Sequence, residues 1–116
     1  MIRHEQENGS VTVSANVYTE IAGTAATNCF GVKGMAALSM KDGLYHLLRK
    51  ESMSKGVKVE FNEDNTISID LHIMVDNGVN LGAVGASIIS EVRYVVQNTT
   101  GTQVRDVNVF VDSVVG

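Results

Sequence analysis

Between Thr66 and Asp76 the chain places Ile67, Ile69, Leu71, Ile73 and Val75 on one side of an extended backbone, and Ser68, Asp70, His72 and Met74 on the other. Five apolar residues at period two commit this stretch to a half-buried strand. After Asn77-Gly78, the residues Leu81, Val84, Ile88, Val92, Val95 and Val96 recur at spacings of three and four, up to Thr100-Gly101. That spacing predicts a helix with one apolar stripe, and a glycine at its end is a stop signal. The chain then alternates again through Val104, Val107, Val109 and Val111 to Asp112. A complete strand, helix, strand unit is thus written into the second half of the sequence, with few groups in it suited to covalent chemistry.

The first half supplies what this unit needs to bury its apolar face. Val57, Val59 and Phe61 alternate with Lys58 and Glu60, and the polar loop Asn62-Glu63-Asp64-Asn65 leads into the strand from Thr66, which predicts a β-hairpin. A short strand over Ser10–Val13 precedes a helix in which Ser14 is positioned to accept from free backbone amides. Val17, Ile21, Ala22, Ala25 and Cys29 would line that helix's buried side, the alanines allowing close approach to a sheet. Residues 35–40 suggest another strand. Asp42 would cap a short helix with Leu44, Leu47 and Leu48 inward and His46, Arg49 and Lys50 outward, closed by Gly56. Residues 1–8 are polar and read as a flexible tail. The expected architecture is therefore α+β: one domain over 9–116, two-layered, with a mostly antiparallel sheet and helices packed on one face.

With 116 residues the chain is long enough for one core that needs neither metal nor disulfide. Its single cysteine, Cys29, excludes an intrachain disulfide, which fits a reducing cytosol. Nine basic against thirteen acidic side chains give a net charge of −4, and such a chain repels phosphate backbones, so nucleic acid is not an expected partner. No run approaches the ~20 apolar residues of a membrane span, so direct membrane insertion is not expected either.

Few residues stand out as chemical. Cys29 lacks a sequence partner that would activate it as a nucleophile, and reads as a small core hydrophobe. Gly78-x-x-x-Gly82-x-x-Gly85 sits between strand and helix, where phosphate loops occur, but no basic residue lies between Asp76 and Arg93. Small residues that let the helix approach the sheet are the simpler account of these glycines. Asp70 and His72 on one strand, with Asp106 and Asn108 on another, could ligate a divalent ion if the strands were neighbours in register. One histidine with mixed Asp and Asn is an incomplete ligand set, so the expectation is no metal, no cofactor and no catalytic residue. Met74 and Phe110 are the apolar exceptions on this polar face and are the candidate partner-binding residues, with self-association as one outcome.

Taken in order, several short motifs resemble the alkaline shock protein family, also described as envelope stress response proteins, and in particular its small single-domain members. They are Gly9-Ser10-Val11-x-Val13-Ser14, Val17-x-x-x-Ile21-Ala22 with Ala25-Ala26, Gly31-Val32-x-Gly34-Met35, Asp42-Gly43, Lys55-Gly56-Val57-Lys58-Val59, Gly78-Val79-Asn80-Leu81 and Thr100-Gly101-x-x-Val104-x-x-Val107-Asn108-Val109-x-Val111. Two positions depart from the family pattern: Asn77 stands where many members have tyrosine before the glycine, and Ser90 where a glutamine is frequent. The resemblance implies a cytosolic bacterial protein without catalytic residues, acting in envelope homeostasis through protein contacts, with a membrane-anchored protein as a candidate partner. An accessory subunit of a dihydroxyacetone-kinase-like enzyme is the alternative it leaves open, and a metal- or small-molecule-binding enzyme is a third.

Overall fold

The computed structural model describes residues 1–38, 45–47 and 56–116. Along the chain these form β1 (Ile2–Gln6), β2 (Gly9–Val13), α1 (Ala15–Thr27), β3 (Val32–Leu38), β4 (Tyr45–Leu47), β5 (Val57–Phe61), β6 (Ile67–Asp76), α2 (Leu81–Thr100) and β7 (Val104–Val115). The expected α+β class holds, with both helices on one face of a mostly antiparallel five-stranded sheet.

The alternating strand β6 organises this sheet. One edge pairs in parallel with β7 from Ile67 to Asp76, and the other is shared end to end by β5, opposite Ile67–Leu71, and β3, opposite Ile73–Val75. Parallel pairing of consecutive strands demands a crossover, which α2 provides. The inward row Ile67, Ile69, Leu71, Ile73 and Val75 is 0 % exposed throughout. Against it lies the α2 stripe of Val84, Ile88, Val92 and Val96, all buried, together with Tyr18, Ala22, Ala25 and Ala26 of α1. Burial of each large aliphatic side chain in this layer is worth about 1.5–3 kcal/mol.

Both ends of α2 are closed by its own sequence. Asn80 accepts from the Ala83 amide at 3.0 Å, and Gly101 ends the helix with φ 75°, a left-handed conformation in which a Cβ would be strained. The β5–β6 turn is likewise local: both the hydroxyl and the amide of Thr66 donate to Asp64, and the hydroxyl holds that carboxyl below the usual carboxylate range.

Several expectations are corrected. Residues 2–6 are not a tail: β1 pairs antiparallel with β2, and Ile2 is 2 % exposed. His4 and Tyr18 both hydrogen-bond the hydroxyl of Thr102, at 2.9 and 2.6 Å, which fastens β1 and α1 to the α2–β7 connection. Satisfied polar groups of this kind are costly to disrupt once buried, and Thr102 is 1 % exposed. In α1 the buried stripe is turned towards Tyr18, leaving Val17 40 % exposed, and Ser14 makes no side-chain cap. In α2, Leu81 is 47 % exposed. Tyr45–Leu47 is a strand and not part of a helix, pairing antiparallel with Ala36–Leu38. Short helices nucleate poorly, whereas the outer edge of β3 offers backbone partners directly. The remaining residues assigned to that helix, Asp42, Leu44, Leu48, Arg49 and Lys50, lie outside the described residues.

Gly56 marks the point where β3, β5 and β6 meet. A Cβ there would lie 2.9 Å from the Ala36 carbonyl oxygen and 3.0 Å from that of His72. Backbone atoms in paired strands cannot give way, so Gly56→Ala should cost about 1–3 kcal/mol. Gly85, whose Cβ would meet nothing within 4 Å, provides the control: Gly85→Ala should gain up to about 1 kcal/mol from helix propensity. Urea midpoints moving in opposite directions for the two variants are the expected result.

Candidate functional site

The face of the sheet turned away from the helices is built by β6 and β7 in parallel register. Ser68 stands beside Asp106, Asp70 beside Asn108, and His72 beside Phe110. This register brings together the four residues Asp70, His72, Asp106 and Asn108 that the sequence placed on one face. It pairs them as follows. Asn108 donates to Asp70 at 2.9 Å, and Ser68 donates to Asp106 at 3.3 Å while accepting from Asn62 at 3.1 Å. Asp106 also takes the Arg105 guanidinium at 3.0 Å.

His72 is engaged twice. Its Nδ1 lies 3.0 Å from the Asp112 carboxylate, and its ring stacks on Phe110 with centroids 4.8 Å apart and planes 13° from parallel. Asp112 reaches the histidine because the β6–β7 register shifts there: His72 faces Phe110 and Ile73 faces Val111, but Met74 faces Ser113. A β-bulge of this kind re-aims one side chain without ending the strand. Each of the three aspartates is thereby committed to a neighbour. Among the described residues no three His, Cys, Asp or Glu side chains converge in a way that would hold a metal ion.

The two candidate partner-binding residues part company. Phe110 is 44 % exposed, on the outer face as its alternation implied. Met74 is 8 % exposed. Its cross-strand neighbours are Gly34 and Ser113, and it stands outside the core cluster between sheet and helices.

The glycines of the strand-to-helix connection are corrected as well. Gly78 adopts φ 90° in the turn, whereas Gly82 and Gly85 lie inside α2 on its open side. A Cβ at Gly82 would meet only the Asn80 side chain at 3.4 Å, so neither glycine is there to let the helix approach the sheet. On that side of α2 a groove of about 470 Å³ is lined by Ala86, Ile89, Ser90, Arg93, Tyr94 and Gln97. Sequence periodicity carries no signal for this groove.

Cys29 falls beyond the end of α1, partly buried, with its thiol 3.5 Å from the Ala25 carbonyl oxygen. Burial pushes the thiol pKa up, the Glu91 carboxylate adds to the rise, and a hydrogen bond with Ser87 opposes it. Thiolate is the reacting form, so a raised pKa means less of it at neutral pH. Alkylation of Cys29 at pH 7 should run more slowly in the folded protein than in urea, and should accelerate as the pH rises. Labelling as fast in the folded protein as in urea would contradict this.

No helix among the described residues is long and apolar enough to cross a membrane. Over residues 3–116 the chain matches the model of the alkaline shock protein 23 family, described by its cell envelope-related function. The Bacillus subtilis (strain 168) protein YloU is 39 % identical over 107 residues, covering 91 % of this chain and 88 % of its own length. Spy1614 of Streptococcus pyogenes serotype M6 is 33 % identical over 114 residues, covering 97 % and 93 %. A second Bacillus subtilis protein, YqhY, is 31 % identical over 109 residues, covering 93 % of this chain and 79 % of its own. No solved structure matches the chain significantly. With residues 3–116 matched and relatives above 30 % identity covering more than nine-tenths of it, the chain belongs to the alkaline shock protein 23 family, a family of cell envelope-related function.

Proposed function

We propose that this protein is a non-enzymatic cytosolic component that supports the cell envelope through protein contacts, docking a membrane-anchored partner on the outer face of its sheet. The observation that carries this reading is the Phe110 ring, 44 % exposed and held flat against His72 in the middle of a face whose polar groups are already hydrogen-bonded. A ring fixed in this way loses little conformational freedom on binding, and a partner that covers it recovers part of the about 1.5–3 kcal/mol of burial that exposure forgoes. The surrounding aspartates, each tied to a neighbour, form a polar rim around an aromatic centre, the arrangement found at protein-binding patches. Family membership supports the envelope context.

Immobilised protein should capture a membrane-anchored protein from lysate of a related Gram-positive bacterium. Phe110→Ser should abolish that capture while shifting the unfolding free energy by less than about 0.5 kcal/mol, as expected at a surface position. Equal capture by both proteins would overturn the role of Phe110. Flotation of the purified protein with anionic liposomes would overturn the need for a partner.

A further inference from the structure

The structure carries a second surface, at the free edge of β7. This strand is 12 residues long, and among the described residues no strand pairs with its edge away from β6. Its first two residues are covered: Gln97 Oε1 accepts from the Val104 amide at 3.0 Å and Arg93 Nη2 donates to the Arg105 carbonyl at 3.2 Å. From Asp106 onward no such cover follows among the described residues. Proteins blunt exposed strand edges with lysine, proline or bulges, since unpaired backbone groups template the addition of another strand. Here the register shifts at Arg105 and Asp112, and the six residues between them, Asp106–Val111, contain neither lysine nor proline. Apolar surface is left on both sides of this run, Phe110 outward and the partly buried Val109 and Val111 towards the helices.

We propose that this edge pairs with the same edge of a second copy, antiparallel and with Asn108 on the two-fold axis, so that the two sheets become one. The length of the uncovered run and its charges together favour a second copy in this register: an axis at Val107 would keep only Asp106–Asn108 of the run paired. With Asn108 opposite its mate, Val107 faces Val109 of the second copy, Asp106 faces Phe110, and no like charges meet. Moving the axis to Val109 would set Asp106 opposite Asp112 twice, which is destabilising. Moving it to Phe110 would draw the bulged Asp112 into the paired run.

The same pairing accounts for the open side of α2. Arg93 and Gln97 reach the start of β7 and also line the groove with Ala86, Ile89, Ser90 and Tyr94, so this side of the helix overhangs the free edge. A two-fold perpendicular to the sheet brings the α2 helices of both copies to the same face, with these grooves turned towards each other. Gly82 and Ala86, which nothing within the monomer requires to be small, would then face the neighbouring helix. Helical glycines cost about 1 kcal/mol each relative to alanine, a cost that close approach of a second backbone would explain.

The pairing goes beyond the docking role of Phe110 and is tested separately from it. Sedimentation equilibrium of the purified protein should show a dimer. Asn108→Lys, which sets two ammonium groups against each other at an exposed position, should weaken it at least about tenfold. In a Cys29→Ser background, Asn108→Cys should form a disulfide-linked dimer on mild oxidation, since directly opposed Cα atoms of antiparallel strands lie about 4.5–5.5 Å apart, within the span of a disulfide. A protein that stays monomeric at all concentrations overturns the proposal, and so does a dimer that neither weakens with Asn108→Lys nor cross-links through position 108. Because Phe110→Ser is read by partner capture and Asn108→Lys by sedimentation, failure of the pairing and failure of the Phe110 reading are told apart.

Discussion

The burial of one face of β6 is the constraint on which the rest of the molecule depends. Its five inward residues are fully buried, and three other strands take their register from its backbone. The apolar row fixes which side of β6 faces the helices, because a slip of one residue would exchange Ile67, Ile69 and Leu71 for Ser68, Asp70 and His72. The outer face is therefore a product of the core. His72 meets Phe110 and Asp112 because the neighbouring Leu71 and Ile73 are held from the other side by the α2 stripe.

Much of this was legible in the sequence, and the reason is physical. Period-two alternation through Ile67–Val75, the three- and four-residue spacing of Val84, Ile88, Val92 and Val96, the Gly101 stop and the Asn62–Asn65 turn are all local signals that tertiary context reinforces. What could not be read depends on partners distant in the chain. Residues 2–6 are mostly polar, and only their hairpin with β2 and the contact of His4 with Thr102 hold them in place. Tyr18 carries no local signal, because an apolar face through Val17 and Ile21 already satisfies the helical spacing, while its partner, the hydroxyl of Thr102, lies 84 residues away. The three-residue β4 forms on the available edge of β3, a neighbour that no local pattern announces.

The outer face shows the same division. Alternation gave the correct side for Asp70, His72, Asp106, Asn108 and Phe110. The bulge that carries Asp112 onto His72 has no sequence signature, and alternation alone does not tell the buried Met74 from the exposed Phe110. A ligand set imagined from spacing alone became a series of side-chain pairs, each carboxylate satisfied by the residue beside it. Such pairing sets the orientation of these side chains within the folded chain itself. Family membership gives an envelope context, and among the described residues the geometry adds an exposed aromatic ring and an unpaired strand edge.

Native-state hydrogen exchange tests the central place of β6 most directly. If the fold hangs on this strand, its amides from Ile67 to Val75 should be among the slowest to exchange, opening only with global unfolding and with the same free energy as the Ile88–Val96 segment of α2. The β1–β2 hairpin, held by Ile2 and one polar contact, should open at lower free energy. Exchange of the β6 amides through a sub-global opening, with the helices still protected, would contradict the account.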